Sequence, residues 1–412
     1  MARDGNAKGM KETKFKDTEL GEIPEEWSVV TFEEIGVFSK GKGISRSEAN
    51  SGLIPAIRYG EIYTKHHNYI KEYGSFISHE VAVTSRKLKK GDLLFTASGE
   101  TKEEIGKSVA FISSEVAYAG GDIIILTPTR EIDALYLGYA SNVSFVQKQK
   151  STKGQGDAVV HITTNSLKNI KLLAPSLAEQ QRIASALFDA DALVAELDAL
   201  IEKKRAIMAG TMQELLTGKR RLKGFSEPWS EEVLRNHLSF LPGFPFTSDR
   251  FSKVACGPRL IRNRDLHSDD QVIYYTGEYS NQYIIEDGDL LIGMDGDFTP
   301  CLWNKGNAVL NQRVGRIICK NTANIVFLYY LLQKPLAELQ ESTGATTVKH
   351  LSHSTIENMV CRMPKLAEQR AIASILSDMD AEIAELEAKR DKYKEVRQGM
   401  MQQLLTGKIR LI

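Results

Sequence analysis

Residues 175–222 read PSLAEQQRIASALFDADALVAELDALIEKKRAIMAGTMQELLTGKRRL, and residues 364–411 read PKLAEQRAIASILSDMDAEIAELEAKRDKYKEVRQGMMQQLLTGKIRL. The two stretches align at a constant offset of 189 without a gap and share 27 identities in 48 positions. Shared helical composition does not give that agreement; internal duplication does. Each copy carries helix signals in the expected order. Pro175 and Pro364 stand just ahead of the start, Glu179 and Glu368 put acid at the positive end of the helix dipole, and Gly218 and Gly407 supply stops followed by basic clusters. Apolar positions step alternately by four and three through Ile183, Leu187, Ala190, Val194, Leu197 and Ile201, then Met208 and Leu215, with Lys204 and Thr211 interrupting the seam. The second copy repeats this through Ile372, Leu376, Met379, Ile383 and Leu386. Each copy is expected to form a helix of about 38 residues, roughly 57 Å long at 1.5 Å per residue. A helix with one apolar stripe needs a partner, and the other copy is the natural one. Ile183, Leu187, Val194, Leu197, Ile201, Ile372, Leu376, Ile383 and Leu386 are the expected inter-helix packing residues. Antiparallel pairing is favoured because it lets the chain double back with one globular unit at each end.

The rest of the chain falls into place around these helices. Glu25-Glu26-Trp27-Ser28 answers Glu227-Pro228-Trp229-Ser230, Lys90-Gly91-Asp92-Leu93-Leu94 answers Asp287-Gly288-Asp289-Leu290-Leu291, and Val160-His161-Ile162 answers Lys349-His350-Leu351. The expected layout is a first globular unit over residues 1–174, a first long helix with its basic tail over 175–222, a second globular unit over 223–363 and a second long helix over 364–412. Both globular units read as β-rich with some helix. Strands are expected at Ser108–Ile112, Asp122–Thr127, Val272–Tyr275 and Val314–Cys319, and amphipathic helices at Ala134–Lys148 and Phe327–Leu339. The fold class is α+β, with an internal pseudo-two-fold repeat.

Composition narrows the function. The 412 residues are 26% charged and 42% hydrophobic, which is ordinary for folded domains. Lys+Arg and Asp+Glu both number 53, so any nucleic-acid footprint is local and the isolated chain is expected to bind DNA weakly. No apolar run is long enough for a membrane span, and the polar N-terminus has no signal-peptide core, so the cytoplasm is the expected location. Cys256, Cys301, Cys319 and Cys361 have no ligand spacing and read as reduced, mostly buried thiols. His66, His67, His350 and His353 read as loop residues rather than zinc ligands. Thr101–Ser108 (TKEEIGKS) ends like a phosphate-binding loop, but Thr101 stands where the first glycine is needed. Asp295-Gly296-Asp297 reads as a turn. No catalytic constellation, cofactor motif or metal set emerges, and the chain reads as a binding protein.

Each globular unit mixes basic residues with amides, aromatics and glycines. The first offers Lys40, Lys42, Arg46, Arg58, Tyr59, Lys102, Lys153 and Gln155; the second offers Arg262, Asn263, Arg264, Asn311, Gln312, Arg313 and Lys349. Arg, Lys, Asn and Gln can read base edges, and Lys or Arg also neutralises phosphate, so these are the candidate DNA-binding residues.

The duplicated Leu-Ala-Glu-Gln…Leu-Leu-Thr-Gly-Lys segments, the Glu26-Trp27 and Pro228-Trp229 openings and the Gly-Asp-Leu-Leu turns resemble the specificity subunit of type I restriction–modification systems, over nearly the whole chain from about Leu20. The resemblance implies two target-recognition domains separated by two long antiparallel helices, each domain reading half of a split, asymmetric site in double-stranded DNA. It implies two methyltransferase subunits docked on the helices and admits motor–nuclease subunits. It implies no chemistry by this chain itself. Gly243-Phe244-Pro245-Phe246 and Asn311-Gln312-Arg313-Val314-Gly315 look family-typical; Ala119-Gly120-Gly121-Asp122 departs from the latter. Two other classes compete: a coiled-coil scaffold whose globular units bind proteins, and a DNA-cleaving enzyme, which the missing metal and nucleotide motifs disfavour.

Overall fold

The computed structural model describes residues 13–156, 159–342 and 350–412. The duplicated segments form two helices of 39 residues each, Leu177–Leu215 and Leu366–Leu404. Two compact units result, and each takes half of each long helix. One comprises the chain through Leu197 together with Lys389–Ile412; the other is Asp198–Ala388.

In the first unit, a five-stranded sheet has the order Gly36–Lys40, Ile123–Pro128, Leu93–Thr96, Ser108–Ala110, Asn68–Tyr69. A four-stranded sheet has the order Ser75–Ile77, Ile54–Ile57, Tyr118–Ala119, Arg86–Lys87. In the second unit, the four-stranded sheet runs Leu238–Pro242, Val314–Cys319, Leu290–Gly293, Cys301–Leu302, and the five-stranded one runs Phe251–Ser252, Ile273–Tyr275, Arg259–Ile261, Ala308–Leu310, Ile284–Ile285. Pairing is mostly antiparallel, but Ile54–Ile57 with Tyr118–Ala119, Ser108–Ala110 with Asn68–Tyr69 and Arg259–Ile261 with Ala308–Leu310 are parallel. The Gly-Asp-Leu-Leu turns act alike in both units. Gly91 and Gly288 take positive φ, and the Asp92 and Asp289 carboxylates accept from the backbone N–H of Lys89 and Glu286.

The expected strands appear at Ser108–Ala110, Ile123–Pro128, Ile273–Tyr275 and Val314–Cys319. The helix expected at Ala134–Lys148 is instead two helices, Ala134–Ala140 and Ser144–Lys153. Asn142 explains the break. Its amide donates to Ser108 O (2.7 Å) and Gly138 O (3.0 Å) while its carbonyl accepts from Ser108 N (3.1 Å), which turns the chain toward the sheet. The cysteines also differ from expectation. All four are free thiols, but Cys256 is exposed, in the turn before Arg259–Ile261, and the other three are only half-buried. His353 opens a short helix, His353–Glu357, rather than lying in a loop.

Within each unit the two helix halves run antiparallel. In the second unit Lys204 pairs with Glu382 at 2.5 Å and Arg221 with Glu368 at 2.7 Å, so residue numbers rise on one helix as they fall on the other. In the first unit Arg397 pairs with Asp191 and Arg410 with Glu179 in the same sense. Ile183, Leu187, Leu404 and Leu405 share one core with the first unit's strands, and Ile201, Ile372, Leu376 and Ile383 share another with the second unit's. Leu197 is buried as well, whereas Val194 and Leu386 are half-buried.

The Pro-x-Leu-Ala-Glu-Gln motif joins helix to sheet domain. The Glu179 carboxylate, 2% exposed, accepts from Arg410 Nε (2.6 Å) and Nη2 (2.8 Å) and from Trp27 Nε1 (3.0 Å), and the guanidinium lies 5.7 Å from the Trp27 ring centre. Glu368 repeats this with Arg221 Nε (2.7 Å), Arg221 Nη2 (2.8 Å) and Trp229 Nε1 (3.1 Å), with the cation 5.8 Å from the ring. Gln180 and Gln369 donate to Pro175 O and Pro364 O and accept from the N–H of Asp133 and Asn324, all at 2.9 Å. Two tyrosines complete the join, with Tyr139 donating to Asp191 at 2.7 Å and Tyr330 to Asp380 at 2.5 Å. The stops at Gly218 and Gly407 take φ of 70° and 74°, open only to glycine at low cost, and a Cβ there would lie 3.3 Å from Trp229 or Trp27.

Removing one partner of a buried, fully hydrogen-bonded ion pair strands the other charge. Arg410→Ala is therefore expected to destabilise the first unit by about 3–5 kcal/mol. Native-state amide exchange will show it, accelerating in Ser28–Thr31 and Lys171–Ala174 while Ser230–Val233 and Val360–Met363 keep their protection.

Candidate nucleic-acid interface

Three loops meet in the same way in each unit. In the first, Gly41 and Lys42 donate through their N–H groups to Ile123 O (2.8 Å) and Ala119 O (3.1 Å), Gly120 donates to Ile57 O (2.9 Å), and Gly121 to Gly43 O (2.9 Å). In the second, Gly243 donates to Val314 O (2.9 Å), Asn311 to Ile261 O (3.1 Å), and Gln312 to Phe244 O (2.9 Å). The loop at 41–46 thus answers 243–247, the start of the Tyr59–Thr64 helix answers the turn at Asn263–Asp265, and 119–122 answers 311–313. A Cβ on Gly41 would sit 1.9 Å from Gly120 O, and one on Gly243 2.2 Å from Asn311 O, so both glycines are required by close backbone approach. A further loop joins each set. Ala97 N donates to Asp122 O (3.0 Å) in the first unit, and Met294 N donates to Arg313 O (2.9 Å) in the second.

Five of the first unit's candidate residues, Lys40, Lys42, Arg46, Arg58 and Tyr59, lie on or beside this frame. Lys40 ends the strand Gly36–Lys40, and Lys42 and Arg46 follow it, all exposed. Arg58 precedes the helix Tyr59–Thr64 and Tyr59 begins it. Lys102 lies exposed in the turn before the strand Ser108–Ala110, so the phosphate-loop-like stretch runs into a strand and not the helix a phosphate loop requires. Lys153 ends the helix Ser144–Lys153, and Gln155 bridges to His161.

In the second unit the residues separate by role. Arg262 is bidentate on Asp265 at 2.7 and 2.9 Å and donates to Gln271 O at 2.6 Å, so its guanidinium braces the loop. The Asn263 amide donates to Asp295 O, and Arg264 is exposed. Asn311 is buried in a bridge to Phe244, whereas Gln312 and Arg313 occupy the turn's exposed tip. Lys349 lies outside the described residues.

Sequence reasoning missed three contributors. Ser98 Oγ lies 2.9 Å from His161 Nδ1, and the Asp295 carboxylate lies 2.8 Å from His350 Nδ1 at the equivalent place in the second unit. The repeat of His161 at His350, at the helices' own offset, was the available signal. The third is Lys150, which is fully buried. Its amine donates to Gly106 O (2.7 Å), Ser141 O (2.9 Å) and Ser108 Oγ (3.4 Å), and so holds the turn that carries Lys102.

With this arrangement in view, comparison with known proteins decides the family. The model of the type I restriction modification DNA specificity domain matches residues 24–204 and 252–395, well over half the chain. The chain belongs to that family. It is accordingly a DNA-recognition subunit and not a catalytic one. It is 33% identical to the type I restriction enzyme EcoBI specificity subunit of Escherichia coli over 46% of this chain and 41% of that protein. It is 26% identical to the MjaVIII specificity subunit of Methanocaldococcus jannaschii over 97% of each. The fold is similar to that of the type I restriction–modification S subunit from M. genitalium, with a TM-score of 0.62 and 15% identity over 92% of this chain and 96% of that one. No helix among the described residues is long and apolar enough to cross a membrane.

Burial pushes the Lys150 amine down to about 7. A lysine whose folded pKa lies below its unfolded value penalises folding most below the folded pKa, and the penalty fades as pH rises toward the unfolded one. Between pH 7 and pH 9 the protein is expected to gain about 2 kcal/mol from this group. Urea unfolding of the protein and of Lys150→Met at the two pH values checks this, because the variant lacks that part of the gain.

Proposed function

We propose that the chain reads a bipartite, asymmetric DNA site, one half with each unit, and holds methyltransferase subunits over it in the cytoplasm. The observation that carries this reading is the repeated three-loop frame with unlike side chains. Backbone contacts between the loops recur, shifted by one residue only where Gly121 meets Gly43 and Gln312 meets Phe244, yet Lys42, Tyr59 and Gly121 in one unit are answered by Phe244, Asn263 and Gln312 in the other. A fixed frame with exchanged side chains is what two readers of different base clusters require. Phosphate contacts from Lys40, Lys42, Arg46 and Lys102 set register, while Gln312 and Arg313 address base edges. Arg262, braced on Asp265, supports its loop instead.

The helix occurs in two copies, which fits two methyltransferase subunits, with motor–nuclease subunits joining that assembly. Net charge of zero means that partners supply much of the phosphate attraction.

The test is to purify the chain with its co-expressed methyltransferase and to map methylated sites across the host genome. A single split motif with two unlike halves is expected. Replacing Asn311, Gln312 and Arg313 together by alanine should relax one half only, since each bidentate contact is worth about 1–3 kcal/mol of discrimination. Equal loss at both halves means that the turn does not read bases.

A further inference from the structure

The turn Asp295-Gly296-Asp297 of the second unit carries a carboxylate that its fold does not need for stability. Asp295 Oδ1 accepts from Arg313 Nη1 at 3.4 Å and lies 2.8 Å from His350 Nδ1, and Oδ2 lies 3.1 Å from Arg313 Nε. The main chain already joins these segments. Met294 N donates to Arg313 O (2.9 Å), Leu351 N to Met294 O (2.8 Å), and the Asn263 amide to Asp295 O. The Arg313 side chain is 54% exposed, and so open an ion pair contributes about 0–1 kcal/mol. Orientation is the role that remains.

The first unit supplies the comparison. Ser98 pairs with His161 across two strands as Asp295 bridges to His350, and the hydroxyl sits 2.9 Å from the ring nitrogen. The histidine is constant and its partner is exchanged. The turn at Gly120-Gly121-Asp122 has no arginine. The carboxylate and the arginine occur together in one unit and are absent together from the other, as the two halves of one device would be.

We infer that Asp295 is a specificity-determining positioning residue, which aims Arg313 and, with it, makes the second unit selective for a G·C base pair. This rests on the reading that the turn 311–313 faces DNA. Guanine presents O6 and N7 to a bidentate arginine, and its paired cytosine presents an N4 amino group to a carboxylate. Against any other duplex, Arg313 must leave Asp295 to reach a phosphate, and the carboxylate is left beside the phosphate's negative charge. Asp295 thus strengthens the correct contact and penalises the wrong ones.

The experiment uses the chain purified with its methyltransferase, the mapped target duplex, the same duplex with each G·C pair of the second half-site changed, and a non-target duplex. Asp295→Ser recreates the Ser98–His161 pairing, and Asp295→Asn keeps the shape without the charge. Both variants should bind the non-target duplex more tightly than the parent, with a salt dependence steeper by about one phosphate. Both should lose about tenfold or more of the discrimination at one G·C pair of the second half-site, with the first half-site unchanged. A purely structural role would weaken binding to every duplex, and that result overturns the inference. If Arg313→Ala relaxes the second half-site while both Asp295 variants match the parent, only this inference fails. If Arg313→Ala also leaves the second half-site intact, the DNA-facing reading of the turn falls with it.

Discussion

The buried carboxylates of Glu179 and Glu368 are the joints on which the architecture depends. Each is taken out of water at a helix start, where it would be costly alone, and each is met by a bidentate arginine and a tryptophan N–H. In the first unit the arginine comes from 231 residues further along the chain. That unit is incomplete until Arg410 arrives, so the C-terminal tail closes the domain that begins the chain. The second unit is closed by Arg221 from the tail of the first helix, 147 residues before Glu368. The same few residues also explain why the helix copies stayed alike. Glu, Gln, Asp and the tail arginine contact a sheet domain, and a change at any of them leaves a polar partner unpaired, while the stop glycine holds a positive φ against a tryptophan.

The loops are free of that constraint. Their backbone hydrogen bonds define the frame, and side chains above it such as Lys42, Arg46 and Gln312 are exposed. Charge at the position of Ser98 and Asp295, or an arginine in place of Asp122, alters what the surface can bind without disturbing the sheets. Bracing residues such as Arg262 and Lys150 lie beneath the readers, and they restrict how far the frame can shift.

Much of this was legible in the sequence. The gapless repeat gave both helices, their ends and their antiparallel sense, because an apolar stripe of that length has few ways to be covered. The strands at 123–128 and 314–319 were legible for the same reason. What was not legible was tertiary. Asn142 breaks a helix only because Ser108 stands opposite it, and nothing near position 142 announces that partner. Arg262 looked like a DNA contact because its pairing with Asp265 depends on a tight turn. Lys150 drew no notice in the sequence, yet it is buried under the turn before Ser108. Asp295 read correctly as a turn, but its carboxylate's partners come from residues 313 and 350.

The claim that two interchangeable readers are joined to repeated helices through one kind of joint is tested by making the readers the same. Residues 28–174 would be replaced by residues 230–363, so that both readers are copies of the second, with Glu179 and Arg410 keeping Trp27 while Gln180 and Asp191 meet the transplanted Asn324 and Tyr330. Genome-wide mapping of methylated sites then gives the answer. The account expects a site built from the second half-site twice, with the first half-site gone. A site that keeps the original first half-site, or a folded and assembled complex that recognises neither half, would contradict it.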